Sequence, residues 1–379
     1  MLGVCVAASL PRAAIAQVAV QRTRFELPSS NGHGAILVAL DHGDPSRARR
    51  ILQLREHPYA AEEPQLDARG EEVWNGGGFA AVHTRDLLYD AYFGLRSSAG
   101  ATWLPSQPAD LDASGYLGLE DDSIGGTGIV ALEQAWGELH ASTLVFAPMD
   151  LPHAAMVMVL YVRNDGDVAA TGVQAFSLHN LHLGFGRPSS SFAVGTDNGS
   201  NGETLVHGED AGGARFEERG FAGVVVARAL GPISHYGTAP GQDPFAIVQS
   251  GGDLGDNSPA VGAVDDSSSA WQFDLGTIAP GEQAWVGVVL AHSGDPFAVD
   301  EVDGWLDAWI GGRDAEQIVV DEREGWAEFH AGLTLPAGDA YEAALARQSA
   351  AMLRMGQVRE REVYLREWLD QDGTPRRTR

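Results

Sequence analysis

Polar and aromatic residues of the kind that contact sugars are concentrated between positions 74 and 103 of this 379-residue sequence. Aromatic rings stack on carbohydrate rings, and charged or phenolic groups hydrogen-bond to sugar hydroxyls. The same histidine, arginine and aspartate side chains are more typical of an ion-pair cluster at a strand end, which would be structural. The candidate sugar-contacting residues are Trp74, His83, Arg85, Asp86, Tyr89 and Trp103.

Two further candidates are the histidines of the run His179-Asn180-Leu181-His182. We interpret this run as a strand with both histidines on one side, the arrangement that two metal ligands need. A metal site also needs a third ligand and partners that orient the imidazoles. Neither can be identified, so histidines hydrogen-bonded to the protein are favoured and no metal is predicted. In a mutarotase, one of these histidines would be the general acid, because sugar ring opening needs a group that titrates near neutral pH.

The charge balance narrows the choice of partners. Fifty-two acidic and 25 basic residues give a formal net charge of -27. A surface of this sign repels nucleic acid phosphates and anionic lipid headgroups, so we expect neither nucleic acid nor a membrane as partner. The sequence also has no Gly-x-Ser-x-Gly elbow, phosphate loop or dinucleotide fingerprint, which disfavours serine hydrolase, nucleotide and Rossmann chemistry. No cofactor is predicted.

The N-terminal residues have features of a secretory signal peptide, which predicts a periplasmic or extracellular protein. Residues 2–10 are an apolar run, and residues 14–16 (Ala-Ile-Ala) have the form of a cleavage site, although no basic residue precedes the run. Removal of residues 1–16 would also remove Cys5, the single cysteine, so we expect no disulfide and no thiolate chemistry. Beyond residue 20, no stretch approaches the roughly 20 apolar residues of a membrane span.

Short apolar or alternating runs separated by Gly, Asn, Asp or Pro fill the chain from about residue 30 to 292, which is typical of a β-sandwich. Residues 164–166 (Asn-Asp-Gly) predict a tight hairpin, because these residues tolerate positive φ, and residues 280–281 (Pro-Gly) predict a second one. Two polar, glycine-rich regions, 189–213 and 251–269, are interpreted as long surface loops. The predicted strands are residues 34–40, 51–55, 87–95, 128–136, 139–146, 154–162, 172–178, 221–229, 245–249, 271–275 and 284–291.

A helical pattern begins near residue 297. Residues 299–310 place apolar side chains at helical spacing, with acidic residues near the start. Asp314 precedes a second, longer helical pattern. Asp339 is a predicted N-cap of a third helix, which extends to about residue 369. Gly356 is the one residue in this segment that disfavours a helix.

In this order, the sandwich pattern and the helices resemble the bacterial members of glycoside hydrolase family 15, the glucoamylases. The resemblance extends over about residues 20–360 and includes residues 284–290 (Ala-Trp-Val-Gly-Val-Val-Leu) and the tryptophan-bearing helix at 300–310. It also includes Tyr341 with residues 347–349 (Arg-Gln-Ser) and Leu353. The resemblance implies an antiparallel super-sandwich of the galactose mutarotase type, then a helical linker, then an (α/α)6 barrel whose two glutamates act as general acid and general base.

The resemblance divides the chain into a signal peptide at 1–16, a super-sandwich at 20–295, a helical linker at 296–338 and the start of a truncated helical domain at 339–379. The positions that would match the family's catalytic glutamates do not exist in this chain, which runs only to Arg379. The resemblance therefore implies a non-catalytic domain that acts on or near α-glucans, partnered by a helical catalytic domain in cis or in trans.

Two alternatives stay open. The first is a free-standing mutarotase or epimerase, since such enzymes share the super-sandwich, with His83, His179 or His182 as candidate acids. The second is a secreted carbohydrate-binding protein anchored by Trp74 or Trp103.

Overall fold

Alternation of apolar and polar residues folds about half of the protein into strands. One short α-helix lies among them, and three longer helices and a final pair of strands follow. The structure is a computed structural model that describes residues 24–41, 51–56, 87–107, 109–110, 113–120, 123, 125–181, 183, 201–220, 223–257, 264–265, 267–335, 338–357, 366–369 and 375–378. The strands are β1 (Arg24–Ser30), β2 (Gly34–Asp41), β3 (Ile51–Glu56), β4 (Leu88–Ser97), β5 (Gly100–Trp103), β6 (Gly115–Gly118), β7 (Gly126–Trp136), β8 (Leu139–Phe146), β9 (Ala155–Asn164), β10 (Ala170–Leu181), β11 (Asn201–Asp210), β12 (Gly213–Gly220), β13 (Gly223–Ala229), β14 (His235–Ala239), β15 (Val264–Asp265), β16 (Ser268–Ile278), β17 (Gln283–Ser293), β18 (Arg366–Leu369) and β19 (Pro375–Thr378). The helices are α1 (Pro244–Gln249), α2 (Val299–Ile310), α3 (Ala315–Ala331) and α4 (Ala340–Met355).

The strands form two large antiparallel sheets. Sheet I has eight strands in the order β1-β2-β3-β4-β10-β16-β14, with β5 paired to β4. Sheet II has nine strands in the order β15-β11-β12-β13-β17-β9-β8-β7-β6. A separate ribbon pairs β18 with β19. The predicted antiparallel super-sandwich followed by C-terminal helices is confirmed.

The inner faces of the two sheets enclose the main hydrophobic core. Val173 and Phe273 of sheet I and Leu160 and Val288 of sheet II belong to it, and each is at most 1% exposed. Burial of each such side chain contributes about 1.5–3 kcal/mol relative to exposure. The packing of sheet on sheet is therefore a major source of stability.

Helices cover the outer face of sheet II. Leu306 of α2 and Ile318 of α3 pack against valines of that face, and all of them are at most 1% exposed. At Gly128 on β7, an added Cβ would lie 2.7 Å from Cζ2 of Trp326 on α3 and 2.9 Å from Sδ of Met355 on α4. The missing side chain at this position lets both helices approach the sheet.

The turns at 164–166 and 280–281 connect the two sheets, so the prediction that each closes a hairpin is wrong. Strand β9 belongs to sheet II and β10 to sheet I, and the same holds for β17 and β16. Buried Asn164 joins the two turns, because its Nδ2 donates to the carbonyl oxygens of Val168 and Ile278, each at 2.8 Å. Hairpins within a sheet and connections between sheets use the same turn residues, so turn residues alone do not distinguish the two.

Three other predicted segments differ from the structure. Residues 245–249, predicted as a strand, lie in α1, where Asp243 accepts a hydrogen bond from the backbone N–H of Ala246 and proline occupies the first turn. The predicted loop at 189–213 contains β11, and the predicted loop at 251–269 contains β15, which pairs with β11. The third helix ends at Met355, because Gly356 caps it, and β18 replaces its predicted final turn.

The other predicted strands coincide with or overlap observed strands, and the helix at 299–310, the helix that Asp314 precedes and the N-cap at Asp339 are confirmed. No described helix is both long and apolar enough to cross a lipid bilayer.

Candidate functional site in the sandwich interior

The structure separates the predicted site residues that it describes. Trp103 lies on the outer face of sheet I, whereas His179 lies on the inner face, next to Trp271. Tyr89 is half-buried on β4, two positions before Ala91, which pairs with His179. The predicted residues outside the described ranges are Trp74, His83, Arg85, Asp86 and His182.

Trp103 is a core residue, so the expectation that its ring is exposed for sugar stacking is wrong. The side chain is 1% exposed, and its ring stacks on Phe245 with centroids 5.7 Å apart. Its Nε1 donates to the carbonyl oxygen of Phe245 at 3.0 Å. Trp103 lies at the end of β5, and α1 covers this end. The sequence pattern did not predict α1, so it could not predict that Trp103 is buried.

We expect Trp103→Phe to lower the free energy of unfolding by about 1–3 kcal/mol, because the partly buried hydrogen bond to the carbonyl of Phe245 is lost. Urea denaturation followed by circular dichroism measures the change. Tyr341→Phe, at a side chain that is exposed in α4, is the matched control and should stay within about 0.5 kcal/mol of the parent. Equal stabilities for the two variants would contradict the structural role of the indole N–H.

The expectation that His179 and His182 share one side of a strand is wrong on spacing alone, because an offset of three residues puts side chains on opposite faces. Strand β10 ends at Leu181, and His179 points into the sandwich. Within the described ranges, no three His, Cys, Asp or Glu side chains are grouped so that they could hold a metal ion.

His179 belongs to a group of polar and aromatic side chains that lies between the sheets. We call Ser177, His179, Ser269 and Trp271 of sheet I, with His207 and Phe216 of sheet II, the interior polar cluster. The Trp271 ring lies 5.4 Å from the His179 ring and 4.7 Å from the Phe216 ring, measured between centroids. The His207 ring lies 5.1 Å from the Phe216 ring, so the aromatic contacts run from one sheet to the other.

His179 is neutral across the physiological pH range, because burial lowers its pKa to about 3. Its Nδ1 lies 3.4 Å from Oγ of Ser269. A general acid for sugar ring opening has to titrate near neutral pH. His179 does not meet this requirement.

A second polar group attaches α2 to the outer face of sheet II. Arg228, on β13, is fully buried and bonds to two carboxylates at once. Its Nε and Nη2 donate to Asp303 on α2 at 2.7 and 2.8 Å, and its Nη1 and Nη2 donate to Asp210 at 2.7 and 3.0 Å. These contacts hold the pKa of Asp210 down at about 2, mainly through the hydrogen bonds from Arg228. The arrangement resembles a structural clamp, since every charge faces an opposite one.

A third polar group lies under α3. Glu322 accepts hydrogen bonds from Nε1 of Trp326 at 2.9 Å and from the backbone N–H of Met149 at 3.1 Å. Burial raises the pKa of this carboxyl to about 8, so the group is mostly protonated at neutral pH. The hydrogen bond to Met149 connects α3 to the segment between β8 and β9.

Sequence reasoning did not single out Arg228 or Glu322, although each left a signal. Arg228 interrupts the apolar run of β13, so a buried arginine there requires carboxylate partners. Glu322 lies on the same helical face as Ile318, Val319 and Trp326, which are all buried.

The last described helix, α4, has one face that is largely exposed in the part of the chain that the structure describes. Ala351 and Met355 of α4 pack against Trp326. On the other side, Tyr341 and Leu353 are each 73% exposed and Leu345 is 57% exposed, at helical spacing. We call these three residues, with Met352, the outer face of α4.

Comparison with known proteins supports the fold and not an activity. No protein-family model matches the sequence. No curated protein matches it either. Among solved structures, the chain is similar to a bacterial glucoamylase in complex with acarbose, with a TM-score of 0.51 and 9% identity over 86% of this chain and 40% of that chain. It also resembles a protein assigned as a kojibiose phosphorylase from the human microbiome, with a TM-score of 0.48 and 8% identity over 87% of this chain and 38% of that chain. The second score is too low to support an inference. The chain spans about two fifths of the glucoamylase and shares its fold over that length.

Proposed function

We propose that this chain is a non-catalytic sandwich domain of a glucoamylase-like glycoside hydrolase, which acts near α-glucans and seats a helical catalytic domain. The observation that carries the proposal is the shared fold with the bacterial glucoamylase over 86% of the chain. The sequence resemblance to glycoside hydrolase family 15 agrees with it. The outer face of α4 supports the partner, because an amphipathic helix with an exposed apolar side is typical of a helix that packs in a bundle.

Incubation of the purified chain with maltodextrin tests the non-catalytic role. We expect no release of glucose in a coupled oxidase assay, because in this proposal the general acid and the general base belong to the helical catalytic domain. Sustained glucose release that scales with the concentration of the chain would contradict the proposal.

The outer face of α4 gives a second test, which concerns the partner. We expect the isolated chain to bind the fluorescent dye ANS at this face, and the double variant Leu345→Glu with Leu353→Glu to lose about half of that fluorescence or more. Val168→Glu is the control, because Val168 is 69% exposed in the turn after β9. Dye binding that is equal in the three proteins would show that the outer face of α4 is no docking surface.

The proposal places the protein in the periplasm or outside the cell. Support comes from the apolar run at 2–10 and the small residues at 14–16, which lie outside the described residues. N-terminal sequencing of protein recovered from the exported fraction should read from Gln17, and an intact N-terminus there would reject the cleavage site.

A further inference from the structure

The interior polar cluster contains buried donors and acceptors that the protein leaves unpaired. Ser177 Oγ, His179 Nε2, His207 Nε2 and Trp271 Nε1 have no hydrogen-bond partner in the part of the chain that the structure describes. Ser177 and Trp271 are 0% exposed and His179 is 1% exposed. A buried polar group that stays unpaired destabilises a protein, so several of them in one place require an explanation.

These four atoms belong to neighbouring side chains. In the register of β10 and β16, Ser177 lies opposite Trp271 and His179 lies opposite Ser269. Residues two apart on a strand share a face, so all of these side chains point into the sandwich. His207 reaches the same place from sheet II through the ring contacts with Phe216. The side chains that carry the unpaired atoms are therefore neighbours between the sheets.

The chemistry of the four atoms restricts what could pair with them. The indole N–H of Trp271 can only donate, the hydroxyl of Ser177 can donate or accept, and each neutral imidazole has one donor and one acceptor nitrogen. An occupant must therefore accept and donate hydrogen bonds within the same small region. None of the four side chains carries a permanent charge, so these four atoms do not compensate the desolvation of a charged occupant. Hydroxyl groups satisfy both conditions.

We propose that the interior polar cluster is a binding site for hydroxyl groups, supplied either by internal water molecules or by a small uncharged polyol such as a monosaccharide. The site holds its occupant through Ser177, Trp271 and the two histidines. This inference rests on contacts inside the sandwich and does not depend on the proposed function, because a domain without a helical partner would keep the same site.

Nuclear magnetic resonance of the full, ¹⁵N-labelled chain tests the proposal. The indole N–H signal of Trp271 is assigned with Trp271→Phe, and D-glucose is then titrated into the parent. A shift of this signal with glucose supports a polyol site, whereas a cross-relaxation peak to water without a glucose shift supports internal water. The indole signal of Trp326, which donates to Glu322, is the internal control and should not move. A Trp271 signal with neither response overturns the proposal.

A second variant separates an occupied site from a strained one. If Ser177 hydrogen-bonds to an occupant, Ser177→Ala removes a favourable contact and lowers the urea midpoint. If the hydroxyl is simply unpaired, the same change removes a penalty and raises the midpoint, which would overturn the proposal. Ser250→Ala, in the exposed cap after α1, provides the comparison for loss of a hydroxyl outside the interior.

Discussion

Arg228→Met should destabilise the protein by about 3–5 kcal/mol at about pH 7, because Asp210 and Asp303 both lose the buried guanidinium and then share only Arg215. Asp303 is 8% exposed. In the variant, the Arg215 contact at 2.8 Å would remain to compensate its negative charge against the sheet. The helix that carries Asp303 should detach first. Urea denaturation followed by circular dichroism measures the loss.

Arg163→Met is the matched control, because Arg163 pairs with Asp165 on the surface and both side chains are nearly half exposed. Exposed ion pairs contribute about 0–1 kcal/mol, so this variant should remain close to the parent. The pKa of Asp210 is depressed in the parent, so the stability that Arg228 provides through Asp210 exists above the ordinary carboxyl pKa and declines as the pH falls towards about 2. The gap between Arg228→Met and the parent should therefore narrow in acid. A variant no less stable than the Arg163 control at neutral pH would show that Arg228 does not clamp α2.

Glu322→Gln should remove a pH dependence that the parent shows between about pH 5 and pH 8. The pKa of Glu322 is about 8 in the folded protein against an ordinary value of 4.5, so the folded state retains a proton that the unfolded state releases. Stability therefore falls as the pH rises through this interval, by at most about 5 kcal/mol. The charged groups that act on this carboxyl are Asp150, which raises its pKa, and Arg354, which lowers it.

Thermal melts of parent and variant across this pH range measure the difference in slope. Glutamine keeps only one acceptor oxygen, so the variant should be less stable than the parent in mild acid and should lose less stability towards alkaline pH. Glu324→Gln, exposed on the same helix, is the control and should follow the slope of the parent. If the Glu322 variant and this control show equal slopes, the buried carboxyl is not the titrating group.

The sequence predicted helices and strands well where one local signal, such as apolar periodicity or a capping residue, was strong. Apolar periodicity placed α2 at its observed bounds, and the aspartates before α3 and α4 cap them through their side chains, as expected from their position. The prediction of a strand at 245–249 was wrong because this short apolar run fits both the helical period and the strand period. The Asp-Pro pair before it favours a helix. The strand β11 was missed because it is polar and glycine-rich, and pairing with β12 determines its structure.

The candidate site was less predictable, because burial depends on elements distant in the sequence. Trp103 is covered by α1, which follows it by about 140 positions, as its hydrogen bond to Phe245 shows. His179 was predicted as a site residue, but its low pKa results from burial between two sheets. No local pattern contains that information.

The two turns joined by Asn164 also bear on how the molecule assembles. Each turn carries the chain from one sheet to the other, so β9 does not pair with β10 and β16 does not pair with β17, although each pair is consecutive in the sequence. The side-chain amide of Asn164 hydrogen-bonds to the carbonyls of Val168 and Ile278 and so connects the two turns. A nascent chain that stops before residue 278 therefore lacks the carbonyl of Ile278, which is one of the two acceptors of this amide.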